Sequence, residues 1–209
     1  MDELGVTAEI VTVCQLPIGA GFGLSAAALL ATITALDRLL GLGLGTKDIA
    51  RYAHESEVIH RTGLGDVAAC QGGGMVVRRG PGIDAPIGRT FDLPEPLYAV
   101  SFGPIHTPTV LGSAAAMERV SLAFPASFPD NVFEFFMLSR QFSEKSGLLT
   151  PDVKNVLRDC DAHSIPASMT MLGNGVFAYG SQAKAVLARY GEVYDFQVAT
   201  AGARIIMEK

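Results

Sequence analysis

The chain has 209 residues, 49% of them hydrophobic and 18% charged, with a formal net charge of −5. That composition excludes a disordered chain and argues against a polyanion-binding, nucleic-acid-type surface. No apolar run reaches the roughly 20 residues of a membrane span, so no membrane association is expected. Three widely separated cysteines, Cys14, Cys70 and Cys160, form neither a disulfide framework nor a zinc site, as in a protein of the reducing cytoplasm.

Val6 to Gln15 alternates apolar and polar residues with several β-branched side chains, which predicts a strand. It leads into LPIGAGFGLSAAALLA, where Gly19, Gly21 and Gly23 stand two apart. From Leu24 to Leu40 apolar residues cover nearly every face, which predicts a central helix buried on most sides and stopped by Gly41. After the Gly41–Gly45 breaker, Thr46 is expected to cap a second helix running from Lys47 to about His60. TGLGDVAACQGGGMVVRRGPG follows, with seven glycines in 21 residues and a strand at Met75–Arg78.

Beyond Pro94 the pattern restarts. A strand is expected at Leu97–Phe102, then helices at Val110–Phe124 and Asn131–Lys145. A third helix is capped by Thr150-Pro151 and ends near Ala162. Strands near Val176–Tyr179 and Tyr194–Ala199 flank a short helix from Gln182 to Tyr190, and Arg204–Met207 closes the chain as a strand. This order lacks regular βα alternation and predicts an α+β protein of two halves, 1–94 and 95–209.

A strand, a glycine turn and a helix make an anion site, because first-turn N–H groups lack intrahelical acceptors and glycines let phosphate approach the backbone. The spacing matches neither a Walker A loop nor GxGxxG. On the second helix Ile49, Ala53, Ser56, Glu57 and His60 share a stripe, so Glu57 points inward and needs a compensating cation or hydrogen bonds. Asp66 sits among glycines, either as a turn residue or as a base beside a reacting hydroxyl.

These parts resemble the GHMP kinase superfamily. Its generalised motif P-x-x-x-G-L-G-S-S-A-A is similar to PIGAGFGLSAA, Pro17 to Ala27, with Leu24-Ser25 in place of two serines. AHESEV, TGLGDV, RRGPG, FGPIHT and SMTMLGNGVFA, taken together and in order, look like the archaeal pantoate kinase branch. The resemblance implies a two-layer α+β fold, with a ribosomal protein S5 domain 2-like N-terminal half and a ferredoxin-like C-terminal half. It also implies that a first substrate-contacting motif and further strands precede this point in other members. The implied cofactors are ATP and Mg2+. Phosphates would be held by Pro17, Gly19, Ala20, Gly21, Phe22, Gly23, Leu24, Ser25 and Ala26, the metal by Ser25 and Glu57, and Asp66 would be catalytic. The substrate would be pantoate or a similar hydroxy acid, and its carboxylate needs a cation. Arg61, Arg78 and Arg79 are candidates; Arg79 is favoured, Arg78 being assigned to the opposite strand face. His106 and Ser168 are further substrate candidates. Homoserine, shikimate, mevalonate or a sugar stays open as the acceptor, as does a catalytically silent subunit. Apolar sheet surface left exposed would favour a homodimer.

Overall fold

The computed structural model describes residues 7–63 and 65–206. Its elements in chain order are α1 (Leu24–Leu40), α2 (Thr46–His60), α3 (Asp66–Cys70), β1 (Met75–Arg78), β2 (Ile87–Thr90) and β3 (Leu97–Pro104). Then come α4 (Thr107–Leu111), α5 (Ala114–Ala123), α6 (Val132–Lys145), α7 (Pro151–Ala162), β4 (Ala167–Met169), β5 (Gly173–Tyr179), α8 (Ala183–Leu187) and β6 (Val193–Phe196).

α1 starts after Gly23 and ends at Gly41, both glycines in the left-handed conformation, which marks the helix ends where the spacing predicts them. It is less enclosed than its composition suggests. Ala26 and Leu30 are its buried residues, and Leu39 is largely exposed. α2 begins at Thr46 itself; Gly45 is the cap position, and Asp48 reaches back to accept from the Gly45 N–H at 3.3 Å. Ala26, Leu30, Ile49, Ala50, Ala53 and Val67 form the core shared by α1, α2 and α3. β1 and β2 make an antiparallel hairpin in which Val77 pairs with Gly88 and Arg78 with Ile87.

The second half is built on a four-stranded antiparallel sheet in the order β4-β5-β3-β6, the ferredoxin-like arrangement. Val153, Val156, Leu157 and Cys160 of α7 bury one apolar stripe against Val100, Met169, Val176 and Ala178 of the sheet. At roughly 1.5–3 kcal/mol per fully buried aliphatic side chain, this is the larger source of packing free energy.

Four local expectations are corrected. Residues 7–15, all exposed but the half-buried Ala8, join no ladder among the described residues, because an alternating pattern makes a strand only where a partner strand supplies the hydrogen bonds; Val6 lies outside the described residues. Residues 204–206 are likewise no strand, and Met207 lies outside the described residues. The single helix expected over Val110–Phe124 is two, α4 and α5, broken at Gly112 where Ser113 caps α5 by accepting from the Ala116 N–H. The glycine-rich stretch holds a five-residue helix, α3, that starts on Asp66.

The halves meet at the glycine loop. Thr170 Oγ1 donates to the Ala20 carbonyl at 2.8 Å, and the Ile105 N–H donates to the Gly19 carbonyl at 3.3 Å. A Cβ on Gly21 would lie 2.7 Å from the Gly173 nitrogen, so glycine is required for the loops to touch. Phe22 turns the other way, edge-on to Tyr194 and tilted against Phe196 of β6.

Candidate active site

A cavity of about 860 Å³ opens where the glycine loop, the first turn of α1, the end of α2 and the β3–α4 connection converge. Gly19, Gly21, Phe22, Gly23, Leu24 and Ser25 line it. Pro17, Ala20 and Ala26 do not line it; Ala20 and Ala26 are fully buried, and Pro17 is half-buried. Among the described residues no side chain caps the N-terminus of α1, so its first-turn N–H groups can serve an anion at the positive end of a 17-residue helix.

Two elements, α2 and α3, bring acids to that helix end. From α2, Glu57 is 1% exposed, and its Oε1 accepts from Ser25 Oγ at 2.7 Å. Its Oε2 is buried without a hydrogen-bond partner among the described residues, a costly state that a cation would relieve. Gly63 makes room for this carboxylate, since a Cβ there would lie 2.5 Å from Oε1. From α3, Asp66 stands beside Gly23, whose absent Cβ would sit 3.3 Å from the Asp66 Cβ. Burial, then the negative charge of Glu57, push the Asp66 carboxyl up to about 6 against the pull of Arg78. Cys70, one turn along α3, lies 3.9 Å from the Gly23 carbonyl; burial and the two acids push its thiol up to about 11, which makes it a packing group rather than a nucleophile.

Among the described residues no three His, Cys, Asp or Glu side chains cluster to hold a metal by themselves. Ser25 and Glu57 nevertheless suit Mg2+, which takes few protein oxygens and fills its remaining positions with phosphate and water. The orphan Oε2 is the structural reason for that fit.

The remaining expected residues divide. His106 lines the cavity at the start of α4, with Nδ1 2.7 Å from Thr109 Oγ1. Arg79 is not brought to the acids. Its guanidinium stacks 4.6 Å from the centre of the Phe128 ring, in a separate cavity of about 480 Å³ on the other face of the hairpin. Arg78, expected on the opposite strand face, is the arginine near Asp66: its guanidinium lies against Gly65, directly before Asp66, and also donates to the Gly82 carbonyl at 3.3 Å, without lining the cavity. Ser168 is absent from the cavity as well. It is fully buried between β4 and α6, where Ser139 Oγ donates to it at 2.9 Å. The spacing gives no signal for Thr62, Met171 and Leu172, which also border the cavity, because only the chain path brings them there.

Known proteins point the same way. Residues 1–74 match the GHMP kinases N terminal domain. The chain is 47% identical over 201 residues to a pantoate kinase of Methanospirillum hungatei, covering 96% of this chain and 69% of that one. It is 34% identical to a pantoate kinase of Thermococcus kodakarensis, covering 93% and 68%. Among solved structures, a phosphotransferase related to the CoA biosynthesis pathway superposes with a TM-score of 0.71 at 29% identity, covering 90% of this chain and 66% of that one. The chain thus spans about two thirds of the length of these relatives. With its α+β architecture and its acids gathered at the glycine loop, the chain belongs to the pantoate kinase family of the GHMP kinase superfamily.

Proposed function

We propose that the protein is an ATP-dependent phosphotransferase that moves the γ-phosphoryl group of ATP to the primary hydroxyl of (R)-pantoate, giving 4-phosphopantoate and ADP. The observation that carries the chemistry is the convergence of Ser25, Glu57 and Asp66 on the uncapped end of α1. The choice of acceptor rests on the 47% identity to a pantoate kinase.

In this reading the first-turn amides of α1 and the loop from Gly19 to Gly23 bind the phosphates. Mg2+, held by Ser25 and Glu57, would offset phosphate charge as it builds during transfer. Asp66 orients the acceptor hydroxyl and takes its proton; an acid near 6 is largely ionised at neutral pH and still basic enough to accept one. The carboxylate of pantoate pairs with Arg78, the cation whose charge acts on Asp66 and whose guanidinium lies beside Gly65. His106, which lines the cavity, contacts the substrate.

Residues 1–94 carry the phosphate-binding functions and 95–209 the supporting half, a division favoured by their separate cores and sheets. A cytoplasmic location suits the free thiols of Cys14, Cys70 and Cys160, and among the described residues no helix is long and apolar enough to cross a membrane. Self-association into a homodimer would cover exposed apolar side chains such as Val11, Val13 and Ile59.

The test is ADP release by the purified protein with ATP, Mg2+ and each of pantoate, mevalonate, homoserine, shikimate and galactose, with the product identified by phosphorus NMR. Phosphorylation of pantoate well above the other acceptors supports the reading. Preference for another acceptor replaces the substrate, and inactivity toward all five with ATP bound overturns the proposed reaction.

A further inference from the structure

α3 has an unusual task for its size. Five residues make little more than one turn, far below the ~12–15 residues at which an isolated helix begins to hold itself in water. Yet its first residue is Asp66, so whatever fixes α3 fixes the reacting carboxylate. On one side Gly23 and the Cys70 thiol set its distance from α1. At its start the Arg78 guanidinium fills the space beside Gly65.

The other end is held from β2. Arg89 extends from the hairpin face that also carries Arg78, two strand positions from Ile87, the register partner of Arg78. Its Nη2 donates to the Ala68 carbonyl, and its Nη1 donates to the carbonyls of Gly73 and, at 3.3 Å, Ala69. These groups belong to the last turn of α3 and the loop after it, where a short helix has unsatisfied acceptors and a negative dipole end. Gly72 leaves room for the fork, since a Cβ there would lie 3.0 Å from the Arg89 Cζ. Arg89 also opposes the rise in the Cys70 pKa, as a cation at that end of the helix should.

We infer that Arg89 is a positioning residue for phosphoryl transfer: by gathering three carbonyls at the C-terminal end of α3, it holds Asp66 against Gly23 without touching substrate or nucleotide. A lysine could not reproduce this, because one ammonium cannot present the two in-plane nitrogens that Ala68, Ala69 and Gly73 share. The inference about catalysis rests on the kinase reading; its geometric part does not.

Two measurements on Arg89→Ala and Arg89→Lys keep these separate. Hydrogen exchange of the Gln71 and Gly73 amides, which donate to Val67 and Ala69, should quicken by roughly tenfold or more, with amides of α1 and β5 unchanged. In pantoate phosphorylation, kcat should fall by about 10²-fold, the scale of an ångström-level misplacement. The Km for ATP should stay within about twofold, because the nucleotide-binding loop is left in place. Added guanidinium should restore part of kcat to Arg89→Ala and none to Asp66→Asn. Unchanged exchange at Gln71 and Gly73 overturns the clamp, whatever the protein phosphorylates. Faster exchange with undiminished kcat, or a kcat loss that guanidinium fails to repair, overturns the positioning role. An inactive parent protein with faster exchange in the variants leaves the clamp standing and overturns pantoate phosphorylation as the reaction that it serves.

Discussion

Replacing Asp66 by asparagine should make the protein more stable and nearly inactive. Asp66 is an acid whose carboxyl stands at about 6 in the folded chain against 3.8 for an ordinary aspartate, chiefly because it is buried and secondarily because Glu57 is close. Between those two values the folded chain retains a proton that the unfolded chain has released. Wild-type stability contributed by Asp66 is therefore full below pH 3.8 and is lost as pH rises through 6. The difference corresponds to up to about 3 kcal/mol of destabilisation at pH 7. Asparagine has nearly the same shape and no charge, so Asp66→Asn should raise Tm by roughly 5–10 °C at pH 7 for a chain of this size. The gain should shrink toward zero near pH 4. Thermal unfolding at pH 4, 5, 6 and 7 without nucleotide reads this directly, and a parallel assay should show kcat lower by about 10²-fold or more. A variant equally or less stable than wild type at pH 7, or a gain independent of pH, refutes the argument that this acid is held near 6 by burial and Glu57.

Glu57→Gln should keep the buried shape but remove the charge that invites a cation. The Mg2+ concentration for half-maximal activity, titrated at fixed ATP, should rise by about tenfold or more. Arg78→Gln removes the charge that draws the Asp66 pKa down, so the acid limb of kcat/Km should move to higher pH, with the Km for the hydroxy acid rising more than that for ATP. Gly63→Ala would place a Cβ 2.5 Å from Glu57 Oε1. It should cost on the order of 1–3 kcal/mol in denaturant unfolding and weaken the Mg2+ response, which a surface-loop alanine would leave alone.

How much of this was legible in the residues depends on whether the deciding contact was local. The ends of α1 could be read because Gly23 and Gly41 act on their own backbone conformation. Glu57 could be placed inward because helical spacing puts it on the stripe of Ile49 and Ala53; the same stripe overreached at His60, which the last turn leaves exposed. Period-two alternation correctly separated Arg78 from Arg79, but alternation cannot say which face meets α3. That depends on how the β1–β2 hairpin docks, and it favours Arg78. Ser168 carries a hydroxyl suited to a substrate, and only the packing of α6 on β4 shows it enclosed among serines. α3 escaped because five residues bounded by glycines carry no helical period, and Arg89, which holds its end, lies 23 positions after Asp66 on an unforeseen strand.

Phosphoryl transfer at this site requires nucleotide phosphates at the start of α1 and a metal held by Ser25 and Glu57. A crystal structure with a non-hydrolysable ATP analogue, Mg2+ and pantoate tests this most directly. Phosphate oxygens should accept from the amides of Leu24, Ser25 and Ala26, with the metal on Glu57 and the pantoate hydroxyl beside Asp66. An analogue bound in the cavity beside Arg79 and Phe128, or a metal that leaves Glu57 bare, would contradict it.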